Sequence, residues 1–147
     1  MAAMLHEARG DRARAKQAYE AIVAADTGAG IAANNLAWIY VDEGKLDDAL
    51  RLARVAQEQL RRRPEGDDTL GWVQLRKGMA ADAVAAFTRA VGRSPSNPVY
   101  HYHLGLAYLG LGDKARGRDE LQRALTLNPD FNGAQDARQQ LSQMSGM

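Results

Sequence analysis

Chemistry in this 147-residue chain falls to oxygen and nitrogen groups, because the chain has no cysteine. Disulfides, thiolate metal sites and cysteine nucleophiles are thereby excluded. The histidine run His101-Tyr102-His103 is the nearest thing to a ligand pair. Residues two apart stand ~200° apart around a helix, so these rings do not share a face and make no metal pair. His103 reads instead as an exposed helical histidine. The acidic pairs Asp47-Asp48 and Asp67-Asp68 fall near helix starts, where the positive end of the helix dipole accounts for them. No glycine-rich phosphate loop, His-Glu-x-x-His pattern or nucleophile elbow is present. A non-enzymatic chain without cofactor or metal is expected.

What remains is the chemistry of binding. The two tryptophans sit in matching surroundings, NNLAWIY at 34–40 and TLGWVQL at 69–75. Each follows a Leu by two residues, with one small residue between. Apolar residues make up 46% of the chain, few of them β-branched, which favours helix over strand. Formal net charge is +1, so no global field draws nucleic acid or an anionic membrane. The run Arg61-Arg62-Arg63 is flanked by acids and reads as a solvated helix end. No apolar stretch approaches the ~20 residues that span a bilayer, so no membrane insertion by this segment is expected. The start lacks a signal-peptide pattern. The compartment is left open, cytoplasmic or periplasmic for a piece of a longer bacterial protein.

A period organises these residues. Gly10, Gly44, Gly78 and Gly112 recur every 34 residues. Small residues follow each by five: Ala15, Ala49, Ala83 and Gly117. Leu36-Ala37, Leu70-Gly71 and Leu104-Gly105 precede the last three glycines by eight, and Tyr40, Gln74 and Tyr108 by four. At these positions the chain resembles the tetratricopeptide repeat, a two-helix unit of 34 residues. The third repeat carries the most matches, with Leu104-Gly105, Tyr108, Leu121, Ala124 and Pro129. The resemblance implies an all-α, right-handed superhelical solenoid of helix hairpins with a C-terminal capping helix. The expected division is a partial repeat at 1–29 (mainly its second helix), repeats at 30–63, 64–97 and 98–129, and the capping helix and tail at 130–147. The first repeat's closing proline comes late, as Pro64 after three arginines, so its second helix is expected to run long. A weaker likeness is to bacterial tetratricopeptide lipoproteins of exopolysaccharide and envelope systems.

The residues support the same architecture physically. Leu104, Ala107, Tyr108 and Leu111 make one apolar helical stripe at i, i+3, i+4 and i+7. The small residues at 37, 71 and 105, and at 49, 83 and 117, let paired helix axes approach. Gly44, Gly78 and Gly112 suit the left-handed residue that ends a helix, and Pro95 and Pro129 stop each second helix. After Pro129, Phe131, Ala134, Ala137, Leu141 and Met144 turn inward on a final polar-faced helix that covers the array.

The repeat fold implies a concave surface lined by each first helix. Trp38 lies ~200° from core-facing Leu36 and so points off the core stripe. Its face holds Asn34, Asn35 and Asp42; the next repeat contributes Asp68, Thr69, Trp72 and Arg76; the third contributes Tyr102 and His103. Aromatic anchors among hydrogen-bonding groups are the composition of a protein-binding surface. These ten residues are the expected site for a protein or peptide ligand. Mutual packing of the two tryptophans is the alternative role for them. Val99 and His103 occupy the basic positions of a chaperone-tail carboxylate clamp, which disfavours that ligand. Tyr19, Ile22 and Val23 form an apolar N-terminal edge on which a second copy could seat.

Overall fold

The computed structural model describes residues 2–145, with side chains from residue 10 onward. Among the described residues there are eight helices and no strand: α1 (Ala2–Ala25), α2 (Gly30–Asp42), α3 (Leu46–Gln59), α4 (Pro64–Arg76), α5 (Ala80–Arg93), α6 (Pro98–Gly110), α7 (Lys114–Leu127) and α8 (Ala134–Ser145). Helices α2, α4 and α6 have 13 residues, and their partners α3, α5 and α7 have 14. Each antiparallel pair is a hairpin, and the hairpins stack as a right-handed superhelical solenoid.

The turns are built as the glycine spacing predicts. Gly44, Gly78 and Gly112 have φ of 77°, 81° and 83°, where a side chain would crowd the following carbonyl. In the first, Lys45 N–H donates to Tyr40 O at 2.9 Å and Gly44 N–H to Val41 O at 3.0 Å. Those two bonds satisfy carbonyls that the helix end leaves free. Met79 to Gln74 and Asp113 to Tyr108 repeat the pattern at 2.8 and 2.9 Å. Gly10 takes no such role, since α1 continues through it.

Within the hairpins the axes close on small residues. A methyl on Gly71 would lie 2.7 Å from the Phe87 ring, and one on Gly105 3.0 Å from Leu121. Phe87 and Leu121 are fully buried there, and burying such a side chain contributes about 1.5–3 kcal/mol. Ala37 and Ala49 do the same work in the first hairpin, both with no exposed surface. Helix α3 does not run long. It ends at Gln59 like its counterparts, and Arg61–Arg63 form the exposed turn that follows. Pro64 begins α4 rather than stopping α3, because its fixed φ and missing N–H suit a first helical position.

Both ends of the stack are covered. Phe131, in the turn before α8, and Ala134, Ala137 and Met144 of α8 pack onto Leu121 and Ala124, with Leu141 half-buried beside them. At the other end α1 packs Tyr19 and Val23 against the first core, leaving Ile22 as the exposed apolar residue. Successive hairpins touch chiefly through α3 against α4 and α5 against α6, and also through α2 with α4 and α4 with α6; the second helices have no comparable contact with one another. The concave face is therefore the seam of the first helices.

Candidate functional site

Helical spacing of four puts Asn34, Trp38 and Asp42 on one edge of α2, and Asp68, Trp72 and Arg76 on one edge of α4. Stacking α2 beside α4 then brings the two indoles together. Their centroids are 5.6 Å apart and their planes 23° apart, a stacked pair. Trp38 Nε1–H donates to Thr69 Oγ1 at 2.8 Å, which fixes the first ring. The next layer continues from α6: the His103 ring lies 4.9 Å from Trp72 and 5.4 Å from Phe87. His103 Nδ1 and Asp68 Oδ1 are 2.7 Å apart. Beyond it, Tyr102 packs on Phe131 at 5.5 Å and donates its hydroxyl to Asp136 of α8. A ladder of aromatic and polar groups thus runs across successive first helices.

The expected site residues fall into two layers. Trp38, Trp72, Tyr102, Asn34 and Asn35 are partly exposed, while Asp42 and Arg76 are exposed. Asp68, Thr69 and His103 lie beneath, at 6%, 2% and 8% exposure. His103 is therefore not an exposed histidine. The rings of Trp72 and Phe87 enclose it, and the Asp68 carboxylate satisfies one nitrogen. His101 and His103 do point different ways: His101 bridges Glu120 Oε2 at 2.7 Å and Pro95 O at 2.6 Å.

The helix dipole does not fully account for Asp67 and Asp68. Asp67 is 3% exposed, accepts from Arg89 Nε at 2.9 Å and stands 3.6 Å from Arg93 Nε, tying α4 to α5. The signal for these ties was in the period. Asp67 and His101 occupy the same repeat position, 34 residues apart, and each joins a first helix to its own second helix.

The electrostatics of the face are mostly closed. Asp42 pairs with Arg12 of α1, Asp68 with His103 and Asp136 with Tyr102. Burial, and then the bond to Asp136, raise the Tyr102 phenol above its ordinary value. Tyr100, beneath the same face, is pushed up to about 12, chiefly by burial and further by the Asp68 and Glu65 carboxylates. Arg76 has no ion-pair partner among the described residues. Asn34 Oδ1 is buried and accepts no hydrogen bond. No cluster of His, Asp and Glu among the described residues is arranged to hold a metal ion, and no described helix is long and apolar enough to cross a membrane.

Comparison with known proteins agrees with this geometry. The chain is similar to the crystal structure of MamA, with a TM-score of 0.77 and 21% identity over 95% of this chain and 82% of that one. It is similar to the first tetratricopeptide domain of Spaghetti (RPAP3) bound to the HSP90 peptide SRMEEVD, at TM-score 0.70 and 19% identity, covering 80% of this chain and 94% of that one. A third likeness is to the Yersinia enterocolitica type III secretion chaperone SycD in complex with a peptide of the translocator YopD. There the TM-score is 0.69 and identity 16%, over 77% and 89% of the two chains. At these identities the likeness is one of fold. No curated protein matches the chain. The tetratricopeptide-repeat family model matches residues 1–66 and 69–130. With the family's glycine turns, small-residue crossings and capping helix all in place, the chain belongs to the tetratricopeptide-repeat family.

Proposed function

We propose that the chain is a non-catalytic scaffold that holds a peptide or helix of a partner protein along its concave face. The observation that carries this reading is the charge pattern there. The carboxylates of Asp42, Asp68 and Asp136 have partners within the chain, whereas the Arg76 guanidinium has none among the described residues. Arg76 lies one helical turn from the partly exposed Trp72 ring. An apolar or aromatic side chain over Trp72, with a carboxylate or carbonyl on Arg76, would use both groups together. The related folds RPAP3 and SycD were solved with peptides bound, which supports the ligand class.

Affinity capture from the source cell, followed by calorimetry with the purified partner segment, tests this. Trp72→Ala and Arg76→Glu are each expected to weaken binding by roughly tenfold, about 1.4 kcal/mol, with the helical signal retained. Unchanged affinity in both variants would refute the site, and catalytic turnover by the purified chain would refute the non-catalytic reading. A second reading is a spacer or self-associating module of a larger bacterial envelope assembly. It draws on Ile22, 46% exposed at the N-terminal edge. Tyr19 and Val23 are half-buried against the core beside it, Tyr19 still lining the same pocket as Ile22.

A further inference from the structure

A pocket of about 470 Å³ opens away from the concave seam, at the corner where α1, the start of α2 and the end of α3 meet. Its walls include Tyr19 and Ile22 of α1, Ile31 and Ala32 of α2, and Gln59 and Leu60. Ile22 and Ile31 are 46% and 59% exposed. The sequence explains why the corner is open. Asp67 in α4 and His101 in α6 are polar ties to the following helix. The equivalent residue of α2 is Ala33, whose methyl reaches no such partner. Here the contact between first and second helix rests on Gly30, where a Cβ would lie 2.7 Å from Gln59 Cβ.

The mouth of this corner gathers three arginines beside the carboxylates of Glu58 and Glu65. Helix α2 starts in it with no side-chain cap and no acid in its first turn, so no group of the helix itself offsets its positive end. By contrast, α4 carries Glu65 and Asp67 in its first turn, and α6 is capped by Asn97. An adjoining cleft of about 290 Å³ shares Gln59 and Leu60 and is lined further by Glu58 and by Arg61, Arg62 and Arg63. Arg62 has no partner among the described residues. Arg61 and Arg63 make exposed pairs with Glu58 and Glu65 at 3.4 and 3.3 Å, and such pairs hold their partners weakly. The neighbouring Asp26 carboxylate is engaged in its own loop, accepting from Gly28 N–H at 3.0 Å.

We propose that this corner is a second docking site, for a short segment of a partner protein that combines an apolar side chain with acidic residues. The apolar group seats between Ile22 and Ile31, and the carboxylates follow the arginine turn. The interrupted charge favours a peptide over nucleic acid, since a polyanion needs an extended basic track, whereas Glu58 and Glu65 break this one. The site is independent of the Trp72–Arg76 reading, because its walls come from different helices.

The test is a labelled peptide array in which Leu, Met or Phe is followed at each short spacing by glutamates, read by fluorescence anisotropy at low salt. Saturable binding is expected, weakened at least roughly tenfold by Ile31→Asp, by Arg62→Glu, or by Gln in place of the peptide glutamates. Both altered side chains are exposed, so the fold is retained, as circular dichroism will verify. Trp72→Ala and Arg76→Glu should leave this binding unchanged. The proposal is overturned if no peptide binds saturably, or if the Gln peptides bind equally well. It is overturned too if single-stranded DNA or anionic vesicles bind the corner in preference to the array. Loss of binding in the Trp72 and Arg76 variants alone would move the ligand to the concave face and sink this site. Concentration-dependent mass abolished by Ile31→Asp would give the corner to a second copy of the chain, and overturn it likewise.

Discussion

Asp68 and His103 join neighbouring first helices through one 2.7 Å hydrogen bond, with both residues nearly closed off from water. Truncating either leaves the other's polar atoms buried and unmatched, which costs about 1–3 kcal/mol. Asp68→Ala and His103→Ala are each expected to lower the unfolding free energy by about 2 kcal/mol. The double variant should cost clearly less than the two together, with a coupling of about 1 kcal/mol or more. Urea unfolding across this cycle measures it, and simple additivity would show that the two act separately. Little of this pairing was legible beforehand. Helical angles place His103 on the face of the first helices, but its burial depends on Trp72 and Phe87, two rings from other elements. The same angles aligned Trp38 with Trp72; that the rings stack depended on the distance between α2 and α4.

At the scale of elements, repetition is what made the fold readable. Gly44, Gly78 and Gly112 do one job three times, and a fixed spacing exposes them. Gly66 does a job done once. A methyl there would lie 2.9 Å from both the Ala56 carbonyl oxygen and Gln57 Cα, at the crossing of α4 over the end of α3. Its counterparts are Ala32 and Tyr100, so no period marks it. Gly66→Ala must displace backbone and is expected to cost about 2 kcal/mol. Gly44→Ala meets nothing within 4 Å and strains φ alone, so about 1 kcal/mol is expected. Thermal unfolding of both variants ranks them, and equal losses would mean that the α3–α4 crossing adjusts freely. The arginine turn misled for a related reason. A basic run reads as the last turn of a helix, and only the geometry of Pro64 shows that the next helix has begun.

At the scale of the whole molecule, the buried phenol of Tyr100 and the half-buried phenol of Tyr102, both on α6, make the fold sensitive to high pH. Tyr100 is pushed up to about 12 from an ordinary value of 10.0, and Tyr102 is raised as well. In the unfolded chain both phenols ionise first, so their contribution is fully present below pH 10 and is lost as pH rises toward 12. For Tyr100 the shift corresponds to about 3 kcal/mol at most. Helical signal and tyrosinate absorbance, followed together across this window, should change in step. Ionisation of Tyr100 near pH 10 with the helices intact would contradict the burial described for it. The covered ends, by contrast, were legible from sequence at the C-terminus, where α8 shows a plain apolar stripe. At the N-terminus α1 passes through Gly10 without turning, which the 34-residue spacing alone does not reveal.

The stacked tryptophans have an optical consequence. The chain's two indoles stand close enough to share excitation, so neither emits as an independent probe. Near-ultraviolet dichroism of the wild-type protein will report the spacing of α2 from α4, and so the pitch of the superhelix at that step. A ligand that changes the curvature will alter this signal without touching either ring. Separating the two effects calls for Trp72→Phe, which leaves a single chromophore on Trp38, held by Thr69. In this molecule intrinsic fluorescence is a strain gauge before it is a binding assay.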